Sequence, residues 1–381
     1  MSNILLKDRV EFAYGFSVRV NDEQSGEYPV FGSNGITGYI DSYKVEGPGV
    51  IIGRKGSVGA IRFSYEHFTP TDTAYCLLIK DKTKDDIKFW YYYLQLLGLE
   101  KLNTHSSVPG LSREIAYFVN IKPPDISEQQ KIAAVLSALD AKIELNQRIN
   151  AELESMAKTL YDYWFVQFDF PNEKGKPYKS AGGKMVWNEE LKREIPLGWD
   201  VRELSDIANI TMGQSPPGES YNDEGEGKLF FQGCTDFGNR FPSVRLYTTQ
   251  PTRFAKTGDI LLSVRAPVGT INIAKEDCCI GRGLAALNSK NNTITYLLEV
   301  MRNLKQIFDR RNVNGTTFGS ITKDDLFSLK VLKPEKNILD QYQKRIYPTF
   351  EKQNILELES QTLTELRDWL LPMLMNGQVR A

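Results

Sequence analysis

Two blocks of this sequence recur at one fixed offset, and a chain with a domain-sized repeat folds first of all as a duplication. The first block is Gly49-Val50-Ile51-Ile52-Gly53-Arg54-Lys55-Gly56-Ser57-Val58-Gly59-Ala60-Ile61. It answers to Gly258-Asp259-Ile260-Leu261-Leu262-Ser263-Val264-Arg265-Ala266-Pro267-Val268-Gly269-Thr270-Ile271, with Val58-Gly59 and Val268-Gly269 210 residues apart. Each reads as an apolar strand, a basic residue, a turn and a second strand. The second block, Ser106-Ser107-Val108-Pro109-Gly110-Leu111-Ser112-Arg113-Glu114, keeps the same offset to Thr316-Thr317-Phe318-Gly319-Ser320-Ile321-Thr322-Lys323-Asp324. Both then pass through an apolar strand into proline, at Pro123-Pro124 and at Pro334.

After each proline the period changes from two to three-and-four. Ser127-Glu128-Gln129-Gln130 has the pattern of a capping box. Ile132, Leu136, Leu139, Ile143, Leu153 and Leu160 follow as an apolar stripe. Asn146 and Asn150 interrupt it, as polar residues do where a seam fixes its register. The second helix is expected from about Ile338 to Met375, with Ile346, Phe350, Leu356, Leu363, Leu366, Leu370 and Met373 as its stripe and a kink at Pro348. Two helices of nearly forty residues are better explained by pairing with each other as an antiparallel coiled coil than by ordinary core packing. The modules before them read as β-rich, each with one embedded helix, near Ile87–Leu97 and Ile294–Phe308. The stretch Phe168–Gly198, rich in Pro, Gly and Lys, reads as a connector.

Composition sets broad limits. The 381 residues suffice for two or three domains, and 41% apolar with 25% charged is ordinary for a soluble globular chain. The N-terminus lacks a signal-peptide pattern and no apolar run reaches bilayer length, so the expected location is cytoplasmic. Cys76, Cys234, Cys278 and Cys279 form no CxxC, and with His67 and His105 they do not reach zinc-site spacing. Buried thiols in a reducing compartment are the expectation. The net charge of −1 does not advertise a nucleic-acid binder, although a basic face can hide inside a neutral total.

No motif for catalysis stands up. There is no GxxxxGK[ST] loop. Phe31-Gly32-Ser33-Asn34-Gly35 imitates the FxGxG cofactor loop of adenosylmethionine-dependent DNA methyltransferases, and Lys122-Pro123-Pro124-Asp125 imitates their amine-binding motif. The second has lysine where the target amine needs an acceptor, and no aromatic to stack on a flipped base. Its repeat partner, Leu332-Lys333-Pro334-Glu335, sits at the same strand-to-helix junction and needs no chemistry.

Pro123-Pro124 followed by Glu128-Gln129-Gln130-Lys131-Ile132-Ala133, with Leu136, Leu139-Asp140 and Ile143, resembles the signature helix of the specificity (S) subunits of type I restriction–modification systems. So do Trp164-Phe165-Val166-Gln167-Phe168-Asp169-Phe170-Pro171 and Ile195-Pro196-Leu197-Gly198-Trp199, and Gly53-Arg54-Lys55-Gly56-Ser57-Val58-Gly59 is similar to a segment common in the family's recognition domains. The second helix departs from the pattern, since Asp340-Gln341-Tyr342-Gln343-Lys344 keeps only part of the EQxKIA signature. The resemblance implies an α+β fold: two β-rich target-recognition domains separated by two long helices that pair as an antiparallel coiled coil, with a pseudo-two-fold internal repeat. Its divisions fall at 1–124, 125–167, 168–198, 199–334 and 335–381.

The resemblance further implies a non-catalytic chain. Each recognition domain reads one half of a bipartite site on double-stranded DNA. The helices set the spacing and dock two methyltransferase (M) subunits, which restriction (R) subunits can join. No cofactor belongs to this chain; adenosylmethionine, ATP and Mg are expected only on the partners. A helix of about 39 residues is roughly 58 Å long at ~1.5 Å per residue, the span of about 17 base pairs. DNA contacts are expected near the repeated turns, from side chains able to read base edges or phosphates. In the first module these are Asn34, Thr37, Tyr39, Arg54, Lys55, Ser57, His105 and Ser106. In the second they are Gln232, Arg240, Arg265, Arg282, Asn312, Asn314 and Thr316. Arg54 and Arg265 stand out because both follow the repeated strand. Two other readings are a coiled-coil scaffold with protein- or glycan-binding β modules, and a methyltransferase-fused specificity protein.

Overall fold

The structure is a computed structural model describing residues 4–18, 26–102, 110–313 and 320–381. It is α+β, and the chain divides into two units, Met1–Leu145 with Ser360–Ala381, and Asn146–Glu359. Each unit holds one β-rich module and a part of each long helix.

In the first unit, runs of β-branched and aromatic residues make an antiparallel sheet in the order Val10–Tyr14, Ala74–Ile79, Gly49–Gly53, Ile61–Ser64. A smaller sheet joins Gly35–Ile40, Tyr28–Gly32 and, in parallel, Thr69–Pro70. The embedded helix Ile87–Leu96 starts where the Asp86 carboxylate accepts from Phe89 N–H, and it buries Phe89, Trp90 and Leu94. These pack with Val10, Phe12, Val50, Ile52 and Leu77 of the larger sheet, with Ile132 and Leu136 of the first long helix, and with Leu371 and Leu374 of the second.

The second unit repeats the plan. Its all-antiparallel sheet runs Ala208–Met212, Leu284–Ser289, Ile260–Ser263, Ile271–Ile273. In its other sheet Lys228–Phe231 pairs in parallel with Cys278–Ile280, as Tyr28–Gly32 does with Thr69–Pro70. The embedded helix, Ile294–Val313, extends beyond the expected end at Phe308.

The long helices are Ile126–Tyr161 and Lys336–Met375. Pro348 lies inside the second element and does not end it. Their pairing is antiparallel in each unit. In the first, Arg367 Nη1 reaches Asp140 Oδ1 at 2.8 Å. In the second, Asn146 Nδ2 donates to Glu359 (2.8 Å), Gln353 Nε2 to Asn150 O (3.2 Å) and Tyr342 OH to Ala157 O (3.3 Å). Asn146 and Asn150 thus lie in the seam, and each keeps a buried Oδ1 with no partner among the described residues. Leu366, expected in the apolar stripe, is exposed; Leu371 and Leu374 are buried in its stead.

Gln129 shows why the signature helix docks where it does. Its side chain is fully buried: Oε1 accepts from Asp86 N–H (3.0 Å), and Nε2 donates to Lys84 O (2.9 Å) and Pro124 O (2.8 Å). One amide therefore pairs with a free N–H at the start of the embedded helix and two carbonyls of the loops beside it. In the second unit Gln343 Oε1 accepts from both Thr295 N–H and Thr295 Oγ1. The function survives although the EQxKIA spacing does not.

The connector is more ordered than its composition suggests. The first long helix passes into a π-helical turn, Asp162–Val166, and Phe168 turns the chain with φ of 67°, a backbone region costly for any residue but glycine. Arg193 lies over the Phe168 ring and donates to Val166 O at 2.7 Å. A hairpin follows, Met185–Asn188 with Arg193–Pro196. Phe168, Phe170 and Ile195 then pack with Trp199, Trp164, Phe165 and Tyr342 in the core of the second unit. Aromatic contacts hold this stretch; Pro, Gly and Lys mark only its turns.

Among the cysteines, Cys76, Cys278 and Cys279 are buried and Cys234 is half-buried; all are free. Burial pushes the Cys76 and Cys278 thiols up to about 12, where almost no thiolate exists near neutrality. No helix among the described residues is long and apolar enough to cross a membrane. Two outcomes follow. Thiol titration of the native protein reads one reactive group, Cys234, and all four after denaturation; equal reactivity of Cys76 in the native state contradicts its burial. Gln129→Ala takes the partner from Asp86 N–H and Pro124 O, while Lys84 O keeps Arg9 Nη2, and lowers unfolding stability by about 2 kcal/mol in a denaturant titration; a change within experimental error removes it from the docking argument.

Candidate nucleic-acid interface

The repeated blocks fold into the same hydrogen-bonded turn. Gly53 N–H donates to Ala60 O (2.8 Å), and Ser263 N–H to Thr270 O (2.8 Å). Gly59 N–H returns to Gly53 O, and Gly269 N–H to Ser263 O. Arg54 N–H meets Thr73 O where Val264 N–H meets Gly283 O; Leu111 N–H meets Arg54 O where Ile321 N–H meets Val264 O. Gly59 and Gly269 both hold positive φ, 76° and 87°, as this turn requires. A Cβ at Gly59 would stand 2.4 Å from Glu100 N. The frame closes with a backbone bridge between Lys55 and Gly110, matched by Arg265 and Ser320.

This register sets the residue-by-residue correspondence of the two turns. Arg54 and Arg265 are not structural counterparts: Arg265 corresponds to Lys55, and Arg54 to the buried Val264. The backbone frame is shared, and the side chains it carries differ between the units.

In the first unit the frame gathers several expected residues. Arg54 Nη1 donates to Asp72 O at 3.2 Å, and its guanidinium lies 4.8 Å from the centre of the Tyr14 ring. Arg113 lies over the same ring at 4.5 Å. Tyr14 is 46% exposed, so two cations meet at one partly exposed aromatic ring. Arg113 also pairs with Glu114 (3.2 Å). Lys55 is exposed beside them, and Ser57 is half-buried in the turn. Asn34 is exposed in the turn between Tyr28–Gly32 and Gly35–Ile40, where its backbone oxygen accepts from Arg62 at 3.4 Å. Thr37 and Tyr39 are exposed on the following strand, with Thr37 Oγ1 donating to Val30 O. His105 and Ser106 lie outside the described residues.

In the second unit a polar cluster occupies the corresponding place. Ser215 Oγ accepts from Gln232 Nε2 (2.9 Å) and from the backbone N–H and Nε of Arg282, both at 3.3 Å. Gln232 Oε1 is buried and without a partner among the described residues. Arg282 and Arg265 are exposed, and Ser263 Oγ donates to Arg265 O at 2.7 Å, stiffening the loop. Asn312 falls on the helix Ile294–Val313 with its side chain outside the described residues, as are Asn314 and Thr316 entirely.

Arg240 is placed otherwise than expected. It is 9% exposed, and its guanidinium donates to Asn354, Gln353 and Phe350 of the second long helix. Its fork is already occupied inside the protein, so it is not a surface group awaiting a phosphate. Burial lowers its affinity for a proton to about 10. Tyr14, Arg113 and Ser215 escaped the sequence reading. Arg113 stood in a repeated block, but nothing local in the chain signals that Tyr14 meets Arg54 and Arg113 across the fold.

Comparison with known proteins places this architecture. The family model described as Type I restriction modification DNA specificity domain matches residues 6–155 and 196–368, covering both modules. A Methanocaldococcus jannaschii protein provisionally assigned as the specificity subunit of the type I restriction enzyme MjaX is 34% identical over 267 residues, 69% of this chain and 60% of that protein. The chain thus spans less than two thirds of that relative's length. The specificity subunit of the type I restriction enzyme MjaIX, from the same organism, is 26% identical over 87% of this chain and 77% of its own. The crystal structure of the S subunit of a type I restriction–modification system from M. genitalium superposes with a TM-score of 0.63 at 18% identity, covering 98% of this chain and 95% of that one, which shows the shared fold. With both modules matched and the fold shared end to end, this chain belongs to the type I restriction–modification DNA specificity family as a specificity subunit.

Proposed function

We propose that this chain is the non-catalytic, sequence-reading subunit of a type I restriction–modification complex. Each module reads one half of a bipartite site in double-stranded DNA, and the paired helices set the spacing and dock two methyltransferase subunits. Restriction subunits join the same complex. Adenosylmethionine, ATP and Mg belong to those partners. The observation that carries this reading is the family match across both modules, joined to a turn frame that recurs hydrogen bond by hydrogen bond.

Chemistry supports the same assignment at the turns. Two arginines over one exposed tyrosine repel each other, and a phosphate between or beside them relieves that repulsion while releasing counterions. Arg54, Lys55 and Arg113 form the phosphate-binding edge of the first module, with Asn34, Thr37, Tyr39 and Ser57 beside it. In the second module the exposed Arg282 is the base reader, because its guanidinium is matched to a bidentate groove contact, and Arg265 is a backbone contact; Gln232, with its Oε1 buried and its Nε2 on Ser215, supports the serine on which Arg282 rests. Because the side chains on the two frames differ, the two half-sites differ in sequence.

These assignments separate in measurement. In complex with the methyltransferase subunits, Arg54→Ala and Lys55→Ala each reduce the slope of log affinity against log salt by about one and weaken binding uniformly across sequences. Arg282→Ala relaxes base preference in one half-site only, by about 1–3 kcal/mol at its position. Methylome sequencing of a host carrying the complex shows one bipartite motif modified on both strands; a continuous motif, or DNA affinity indifferent to salt, sinks the reading.

A further inference from the structure

In the second unit the module and the long helices share an apolar core that includes Ile273, Tyr296, Tyr342 and Phe350. Apolar contact stabilises without direction. The angle between bodies in contact is set by groups with directional bonds. Arg240 is such a group. Its backbone oxygen accepts from Ile273 N–H within the module (2.8 Å), and its side chain crosses to the second long helix. There Nε donates to Asn354 Oδ1 (2.5 Å), Nη1 to Gln353 Oε1 (3.3 Å) and Nη2 to Phe350 O (3.3 Å), and the guanidinium stacks over the Phe350 ring at 4.6 Å. Gln353 in turn donates to Asn150 O on the first long helix. A second arginine of the module, Arg302, reaches the first helix at Glu154 (3.0 Å).

The first unit has an analogous arrangement made from different residues. Tyr92, on the embedded helix of the module, donates to Asp140 Oδ2 of the first long helix at 2.5 Å, and Arg367 of the second long helix holds Asp140 Oδ1. In both units one polar network ties a module to both helices. None of these side chains lies on the repeated turns.

We propose that these two networks are spacer locks: Arg240 in the second unit and Asp140 in the first fix the pitch of each module on the helices, and so determine which separation of half-sites the protein accepts. This rests on the reading of the protein as a bipartite-site specificity subunit. Adding one base pair moves a half-site by about 3.4 Å and turns it by about 34°. A module held by a planar, three-donor fork does not follow that rotation. A module held by apolar contact alone does. Arg240 and Asp140 are positioning residues that touch no DNA.

The test uses the chain co-expressed with its methyltransferase subunit, and duplexes carrying both half-sites with the native spacer or one shortened or lengthened by one or two base pairs. Arg240→Met keeps the packing on Phe350 and removes the fork; Asp140→Asn weakens the other lock. Each is expected to keep the half-site sequences while its preference for the native spacer falls by at least about tenfold, the scale of one lost charge-assisted bond. Variants that methylate more slowly at every spacer with preference unchanged overturn the proposal, since that is the behaviour of a merely structural residue. If Arg240→Met does not fold by circular dichroism, Asn354→Ala removes only the Nε partner from a half-buried site, and wild-type strictness in that folded variant overturns the proposal equally. A wild-type complex that modifies no bipartite site sinks the functional reading itself, a result distinguishable from failure of the locks.

Discussion

A helix of 36 or 40 residues persists in water only if its apolar face is covered, because nucleation and fraying consume most of what its own hydrogen bonds contribute. Covering that face is the constraint on which everything else here depends. In each unit the other helix covers part and the β-rich module covers the rest. Ile132 and Leu136 enter the core of the first module, and Tyr342, Ile346 and Phe350 that of the second. The polar groups trapped by this burial then need partners, and the helices bring their own: Gln129 for one embedded helix and Gln343 for the other. The contact that stabilises a long helix is thereby also the contact that seats a module on it.

The two modules show how a duplicated backbone can carry unlike chemistry. Main-chain hydrogen bonds of the repeated turn agree pair by pair, and glycines with positive φ hold the tight corner in both. A backbone frame of this kind is indifferent to the side chains on its rim. One frame can therefore present Arg54, Lys55 and Tyr14, and the other Gln232, Arg265 and Arg282. Divergence at the rim costs the fold little, whereas divergence at Gly59 or Gly269 would meet backbone strain. The proposed reading of two unlike half-sites rests on that separation of frame and rim.

Much of this was legible in the chain and some was not, for a consistent reason. The repeat, the long helices, the embedded helices and the seam residues Asn146 and Asn150 depend on local spacing, which a linear reading captures. The packing of the connector is not legible in the chain because Phe168, Phe170 and Trp199 find their partners through distant contacts, while the visible Pro and Gly mark turns. Arg240 was misjudged for the same reason. Its loop position suggested a solvent-facing cation, yet its hydrogen-bond acceptor Phe350 O lies 110 residues away. Arg54 and Arg265 both follow the repeated strand but occupy positions one residue apart in the frame, a distinction that hydrogen-bond register makes.

The sequence by itself determined that there are two copies of one module, that each is followed by a helix too long to stand alone, and to which family the pattern is similar. These are properties of periodicity and repetition, and both are written along the chain. The tertiary structure alone decided which cations face outward and which are consumed inside. Tyr14, Arg54 and Arg113 converge although 40 and 59 residues separate them in sequence, and Arg240 turns inward to a helix more than a hundred residues further on. A charge is solvated or buried according to what packs against it, and packing partners are chosen by the fold and not by neighbours in the chain.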